Sequence, residues 1–310
     1  MGAATLNSSS ILSKLKLSGK LPTPKGIALE VINLSQRDDV SNQVIAHLIG
    51  ADPALSLRVI KTANVLCASP TRPIVTVSDA VTVLGLRSLR QLVLGITLIA
   101  DHKNGPCKQF DYPAFWTRSL LTGIAVKQFA EQSKLAASEE VFTLGLLGDM
   151  GKLAMATVFP EEFGVILENS KDCSLDQLYG MEREQFGFEQ AELTAAILAD
   201  MNFPPIFLRL IHDYPQPQNS SVAEGTREWK LMNMLHLAAR VADVYLAAPL
   251  QQEMLVSELW SYYQSLEIEE VNIVSVIEQC SQDWPEWANL LNMDTRQLPS
   301  LQELFSRMDN

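Results

Sequence analysis

The side chains that could carry out chemistry in this chain gather in one short run. Residues 145–152 read Gly-Leu-Leu-Gly-Asp-Met-Gly-Lys, so the carboxylate of Asp149 and the ammonium of Lys152 lie beside glycines near a predicted helix end. A carboxylate there can bind a cation or take up a proton, and a lysine can bind an anion. The alternative is structural, with Asp149 paired to a nearby cation. Both interpretations are open at this point.

Other residues with suitable chemistry lack the spacing that familiar sites require. No HExxH motif, closely spaced histidine pair or CxxC pair is present, which argues against a zinc site. The GxSxG nucleophile elbow, the Walker loop and the GxGxxG fingerprint are also missing from the sequence. Motifs alone therefore identify no catalytic residue, metal ligand or cofactor. The histidines are His47, His102, His212 and His236, and the cysteines, read as reduced thiols, are Cys67, Cys107, Cys173 and Cys280.

Composition is that of a globular protein. The 310 residues include 24 basic and 36 acidic side chains, a net charge of −12, and 47% are hydrophobic. The longest mostly apolar stretch, residues 92–100, is far shorter than the ~20 residues of a membrane helix, and residues 1–10 do not resemble a signal peptide. We therefore expect a cytoplasmic protein with no membrane contact.

The charge is divided unevenly along the chain. Residues 1–110 carry 12 basic and 6 acidic side chains, a net of +6, whereas residues 111–310 carry 12 and 30, a net of −18. The basic residues of the first part form no dense run, and the acidic part is unsuited to a phosphate backbone. Nucleic acid is therefore not the expected partner, although a DNA-binding regulator remains a third class of function.

Local signals predict helices almost throughout, because apolar residues recur at spacings of three and four. Asp52 predicts a helix start that continues to about residue 66, and Ser78-Asp79 predicts a second start with a stop at Gly85. A mostly buried helix is expected from 86 to about 100.

Further signals divide the rest of the chain. Helices are predicted from Pro113 to 130, from Ser138, and from Ser174 to Gly187 through a capping box, while residues 214–225 are the best linker candidate. These elements predict an all-α protein with two packed helical bundles and a C-terminal helical extension, whose many aromatic residues predict packed helices.

Four segments, in the expected order, resemble the HDOD domain, the HD-related output domain of bacterial signalling proteins. They are Leu21–Pro24, Asp52–Arg58 with Ala63-Asn64, Ile74–Arg90, and Phe115–Ser119 together with Gly145–Leu153. The resemblance predicts a tail at 1–20 and an HDOD domain at 21–217. The domain consists of a first bundle at 21–110 and an HD-like bundle at 111–217 that continues to about 250. The extension then covers 218–310.

The resemblance also implies a fold related to the HD superfamily of metal-dependent phosphohydrolases, which hold metals through His and Asp ligands. The superfamily's ligand positions are degenerate here, since most of the expected histidines are replaced and glycine and arginine cannot bind a cation. We therefore predict no metal and no hydrolysis, in agreement with the HDOD family. The corresponding positions are Arg118, Gly148, Asp149, Gln190, His212, Asp213 and Asp243.

Two roles for the degenerate site follow from these residues. Arg118 could replace the metal charge and form a buried ion pair with Asp149. Alternatively, Arg118 and Lys152 could bind a nucleotide or another anion without cleaving it. We read His212 as a helix-end residue beside Asp213, and His236 as a partly buried core residue.

The leading functional prediction is a non-catalytic signal-transduction protein that acts through protein contacts. The family resemblance implies partners such as a kinase, a receiver domain or a cyclic-dinucleotide enzyme. The alternatives are a metal-dependent phosphohydrolase or phosphodiesterase with an unusual metal set, and a nucleotide-binding sensor that uses the residual pocket. No cofactor is predicted for the leading function.

Overall fold

The computed structural model describes residues 15, 21–22, 24–34, 40–66, 73–171, 173–268, 271–293, 298–299 and 303–304. Within these residues the chain forms fourteen α-helices and no strand, which confirms the predicted all-α class. The tail at 1–20, apart from Leu15, and Cys67 lie outside the described residues.

The helices follow one another with short connections. The first part contains α1 (Gly26–Leu34), α2 (Asn42–Gly50), α3 (Pro53–Leu66) and α4 (Val77–Asp101). The second part contains α5 (Tyr112–Ser133), α6 (Ser138–Leu147), α7 (Met150–Val158), α8 (Pro160–Asn169), α9 (Leu175–Phe186), α10 (Gln190–Asp200) and α11 (Pro205–Asp213). A 3-10 turn at Pro217–Asn219 leads to α12 (Arg227–Leu246), α13 (Pro249–Ser265) and α14 (Ile273–Leu290).

Most helix boundaries follow from local capping chemistry. The carboxylate of Asp52 accepts hydrogen bonds from the backbone N–H groups of Ala54 and Leu55, at 2.9 and 3.0 Å. The predicted capping box of Ser174 and Gln177 is present at the start of α9, and Gly187 ends that helix with a φ of 81°. These three predictions are confirmed.

One predicted start is displaced. The residue that caps α4 is Thr76, whose hydroxyl accepts from the N–H of Asp79 at 3.0 Å, and not the Ser78-Asp79 pair. Thr76 has an extended backbone and a hydroxyl group, so it caps the helix two residues before the predicted start at Ser78. Gly85 interrupts α4 with a φ of 73°, as its predicted role as a stop requires.

Two side chains join elements of the first part to their surroundings. The amide of Asn64 on α3 donates to the carbonyls of Ile60 and Ile74 and accepts from the N–H of Ile74, which fixes the segment before α4. The buried indole of Trp116 on α5 donates to the carbonyl of His102, at the end of α4, at 2.8 Å. Trp116 therefore lies at the seam between the two bundles.

Helix α5 is the centre of the second part, and α6, α12 and α14 pack against it. Trp287 of α14 stacks on Phe142 of α6 with ring centroids 4.4 Å apart, so the predicted packed aromatic helices of the C-terminal extension are present. The predicted linker at 214–225 is partly packed into the protein. Tyr214 and Pro217 are buried there, and the segment joins α11 to α12 within one core.

Residues Glu140–Val158 have the length and hydropathy of a membrane-spanning helix, but 78% of that window is buried inside the protein. Helices α6 and α7, which form this stretch, meet at a break at Gly148 and Asp149. Such burial is what the central helices of a globular core show.

Candidate functional site

The break between α6 and α7 places the carboxylate of Asp149. This residue precedes the first turn of α7, but its side chain accepts no capping hydrogen bond from that helix. The carboxylate turns instead towards α5 and α11. Capping is the usual role of an aspartate at this position, so its absence here frees Asp149 for contacts with other elements.

Arg118 on α5 binds two carboxylates that lie far apart in the sequence. Its Nη1 donates to Oδ2 of Asp149 at 2.5 Å, and its Nε donates to Oδ1 of Asp243 on α12 at 2.6 Å. A second bond, from Nη2 to Oδ2 of Asp243 at 3.3 Å, makes that pair bidentate. Arg118 therefore ties α5 to the α6–α7 junction and to α12.

The predicted ion pair between Arg118 and Asp149 is present, but it differs from the prediction in two ways. It includes Asp243, and it is not fully buried, since the side chains of Arg118 and Asp149 are 25% and 19% exposed. The remaining exposure faces a cavity of about 340 Å³ between α5, α7, α9, α10 and α12, which we call the Arg118 cavity.

The charges of this cluster reinforce one another. Burial of Arg118 opposes its charge, but Asp243 and Asp149 together raise the pKa of the guanidinium well above its ordinary value. Burial likewise opposes the charge of Asp149, but Arg118, Lys152 and a hydrogen bond from Tyr214 lower the pKa of this carboxyl. Arg118 and Asp149 are therefore both charged at neutral pH.

Tyr214 is a member of the site that the sequence did not predict. Its hydroxyl donates to Oδ1 of Asp149 at 2.7 Å, and its carbonyl accepts from Nδ1 of His236 at 2.8 Å. A Cβ placed on Gly148 would lie 3.3 Å from this hydroxyl, so the missing side chain at Gly148 leaves room for Tyr214. The sequence signal for this contact was the pairing of Gly148, at the first position of the HD doublet, with a tyrosine directly after His212-Asp213.

The predicted position His212-Asp213 does not join the cluster. Nδ1 of His212 pairs with Oδ1 of its neighbour Asp213 at 2.6 Å, and the hydroxyl of Ser220 donates to the other oxygen of Asp213 at 2.6 Å. Neither residue lines the Arg118 cavity, where Tyr214 faces inward instead. The hydrogen bond between His212 and Asp213 raises the pKa of His212. His212 lies in the last turn of α11, so the helix-end role predicted for it is confirmed.

Gln190, Lys152 and His236 do line the cavity, together with the unpredicted Tyr179 and Arg240. Burial lowers the pKa of His236 to about 4, so its imidazole is neutral at physiological pH. His236 is half-buried and its ring packs on Tyr262 at 4.8 Å, in line with its predicted position at the edge of the core.

A buried carboxylate lies next to the cavity. Glu182 on α9 is completely buried, and its Oε2 accepts from the backbone N–H of Gln190 at 2.9 Å, at the start of α10. Among the described residues its Oε1 has no hydrogen-bond partner. Burial raises the pKa of Glu182 to about 7, although the bond from Gln190 and the charge of Lys152 act in the opposite direction.

These residues do not fit the metal that the HD superfamily would place here. The two acids that correspond to ligands, Asp149 and Asp243, both bind the guanidinium of Arg118, a cation that cannot be removed by deprotonation. The described residues contain no group of three or more His, Cys, Asp or Glu side chains arranged to hold a metal ion. The fixed charge of Arg118 would repel a dication from the same position.

This chain matches one protein family and several solved structures of similar fold. A sequence model of the HDOD domain matches residues 21–217, which leaves α12, with Asp243 and His236, outside the matched region. A search of curated proteins gave no match.

Among solved structures, the chain is 33% identical to the MmoQ response regulator of Methylococcus capsulatus strain Bath. That match covers 83% of this chain and 98% of MmoQ, with a TM-score of 0.51. This chain also shares its fold with a protein of Shewanella amazonensis SB2B, provisionally named a phosphohydrolase, at 22% identity. That match covers 96% of this chain and 97% of the other, with a TM-score of 0.65. An HDOD domain protein of unknown function from Geobacter sulfurreducens is 19% identical, with coverage of 98% and 94% and a TM-score of 0.57.

Proposed function

The chain belongs to the HDOD family, and we propose that it is a non-catalytic signal-transduction protein of the cytoplasm that acts through contacts with other proteins. The contacts of Arg118 carry the non-catalytic part of this proposal. Its guanidinium forms ion pairs with both Asp149 and Asp243. A catalytic metal that used these carboxylates as ligands would have to displace a fixed cation. The similarity to a protein named a response regulator supports the signalling part.

The distribution of apolar side chains supports a role in protein contacts. Most of the large apolar side chains that are exposed within the described residues lie on the first bundle and at the start of α13. They are Leu29, Val44, Leu57, Val75 and Val83 on the first bundle, and Leu250 and Met254 on α13. Exposed apolar groups of this kind supply binding energy in protein interfaces, while the opposite charges of the two parts of the chain steer encounter.

The non-catalytic part is tested by metal analysis together with a phosphodiesterase assay. The full chain, purified without chelator, is assayed for Mn, Fe, Ni and Zn and for hydrolysis of phosphodiesters. We expect substoichiometric metal and no turnover. Stoichiometric metal with turnover that disappears in Asp149→Ala, but persists in the matched surface variant Asp101→Ala, would overturn the proposal.

The protein-contact part is tested by cross-linking in the native host followed by mass spectrometry. We expect the full chain to cross-link to a second signalling protein, such as a kinase or a receiver protein. Leu57→Glu or Leu250→Glu should weaken this cross-link, whereas Lys108→Glu, a change at an exposed polar position, should not. If the wild-type chain cross-links to no such protein, the proposed mode of action is wrong.

A further inference from the structure

The Arg118 cavity contains polar groups that the fold itself does not satisfy. Tyr179 and Gln190 are only 7% and 8% exposed, and both line the cavity. Among the described residues, neither the hydroxyl of Tyr179 nor the side-chain amide of Gln190 has a hydrogen-bond partner. Their side chains are therefore mostly enclosed by the protein while their polar atoms open onto the cavity, where a bound ligand can pair with them.

Lys152 supplies an unpaired charge to the same cavity. It lies on α7, one turn after Asp149, and within the described part of the chain its ammonium forms no ion pair or hydrogen bond. The other two cations of the cavity wall are occupied. Arg118 binds Asp149 and Asp243, and Arg240 donates to Glu258 at 2.7 Å.

The charges around the cavity are otherwise compensated. Arg118, Lys152 and Arg240 are matched by Asp149, Asp243 and Glu258, the partner of Arg240. Because Arg118 and Arg240 are held by these carboxylates, Lys152 is the cation of the wall that can pair with a negatively charged ligand.

We propose that the Arg118 cavity binds a small organic anion, with its oxyanion group on Lys152, Tyr179 and Gln190. The shared chemistry is that of a carboxylate or a phosphodiester, each of which carries one negative charge and accepts several hydrogen bonds. The inference rests on the proposed non-catalytic function, since the ligand is held and not cleaved. Its binding would supply the signal that the protein passes on to its partner.

The cavity also indicates what the rest of the ligand is. Leu175, Leu178 and Pro215 form an apolar part of the wall, so the group attached to the oxyanion is uncharged and largely apolar. A volume of about 340 Å³ lies at the lower end of the range of small-molecule sites, which accommodates one ring with its substituents.

Two matched probes test the inference by isothermal titration calorimetry with the full chain. 4-Nitrobenzoate supplies the carboxylate, methyl 4-nitrophenyl phosphate supplies the phosphodiester, and 4-nitrobenzamide is the neutral control. We expect saturable 1:1 binding of at least one anion and at least about tenfold weaker binding of the amide. The tighter of the two anions identifies the class of oxyanion.

Variants show whether the binding occurs in the cavity. Lys152→Met should weaken the tighter anion by about tenfold or more, and Tyr179→Phe by a smaller factor, whereas Lys108→Met, at an exposed lysine outside the cavity, should leave it unchanged. Circular dichroism of each variant checks that it is folded. Because the wild-type titration needs no variant, the absence of saturable binding of both anions overturns the inference by itself. Binding that is equally tight in folded Lys152→Met also overturns it.

The phosphodiester probe separates this inference from the proposed function. Its hydrolysis would release coloured 4-nitrophenolate, which is followed by absorbance in the same samples. Binding with no release of 4-nitrophenolate supports both proposals. If neither binding nor release is observed, only the proposed cavity site is contradicted. Release that disappears in Asp149→Ala contradicts the proposed non-catalytic function and, with it, the claim that the ligand is held intact.

Discussion

Two cavities of this protein contain similar residue types but treat them differently. One is the Arg118 cavity. A second cavity of about 460 Å³, which we call the Arg58 cavity, lies between α1, α3 and α4, and its charged residues are Lys25, Asp52, Arg58 and Asp101. Its two cations balance its two acids, and within the described residues no polar side chain of its wall is buried.

The difference teaches that burial, and not the number of charges, makes a candidate site. Water solvates the side chains of the Arg58 cavity, so they need no specific partners, and Asp52 is already used as a helix cap. In the Arg118 cavity the charged groups have lost much of their water, so each one must be paired or becomes costly. The presence or absence of a partner therefore indicates function in the Arg118 cavity but not in the Arg58 cavity.

The largest expected effect is the loss of the central guanidinium. Arg118→Met leaves Asp149 and Asp243 close together without their cation, and we expect it to lower the free energy of unfolding by about 3 kcal/mol. The matched change in the other cavity, Arg58→Met, should cost less than about 0.5 kcal/mol. Urea unfolding of both variants measures the difference. Equal costs would show that the charged groups of the two cavities do not differ in desolvation.

A second effect is a pH dependence caused by a buried carboxyl group of the second bundle. The pKa of Glu182 is raised to about 7 from 4.5, so the folded state binds a proton more tightly than the unfolded state does. The stability contributed by this proton is fully present below pH 4.5 and is lost as the pH rises through 7. The loss amounts to about 3 kcal/mol for a shift of this size.

Glu182→Gln isolates this effect, because the amide oxygen still accepts from the N–H of Gln190. The difference in unfolding free energy between wild type and Glu182→Gln should fall between pH 5 and pH 7.5 and then level off. His236, whose pKa is lowered, acts in the opposite direction below pH 6.5 and is common to both proteins. A constant difference across this range would show that Glu182 is not desolvated.

A smaller effect is expected for the hydroxyl of Tyr214. Tyr214→Phe removes a hydrogen bond to an ionised carboxylate and should destabilise the protein by about 1.5 kcal/mol. It should also raise the pKa of Asp149, since that bond helps to keep it low, so that acid unfolding begins at a higher pH.

The matched control for Tyr214→Phe lies in the Arg58 cavity. The hydroxyl of Thr97 donates to the carbonyl of Val93 at 2.7 Å within its own helix, and Thr97→Val should cost less than about 0.5 kcal/mol with no change in acid unfolding. If both variants behave alike, the bond between Tyr214 and Asp149 adds nothing beyond an ordinary neutral hydrogen bond.

The smallest effect concerns the glycine beside this tyrosine. A Cβ at Gly148 would contact the hydroxyl of Tyr214 at 3.3 Å, so Gly148→Ala should destabilise the protein by about 0.5 kcal/mol. The cost should shrink in the Tyr214→Phe background, where the hydroxyl is gone. A double-mutant cycle measures this coupling, and strict additivity would contradict the close contact.

The helices and most of their ends could be predicted from the sequence. Asp52, Ser174, Gly187 and Gly85 act within a few residues of their own positions, so capping rules apply without knowledge of the fold. The displaced start at Thr76 shows the limit, because Thr76 and Ser78 both carry a hydroxyl and only the backbone conformation decides which of them caps the helix. The pair of Arg118 and Asp149 was also within reach, since the family resemblance placed both at one site.

What only the tertiary structure decided is which side chains face the cavity. The sequence placed His212 and Asp213 there, but the last turn of α11 directs them outward and brings Tyr214 in. The bidentate bond between Arg118 and Asp243 joins residues 125 apart in the chain, and the unpaired Lys152, Tyr179 and Gln190 are recognisable only from burial. Caps and helix periods are local properties, whereas desolvation and pairing depend on which distant helices pack together, and no short stretch of sequence records that.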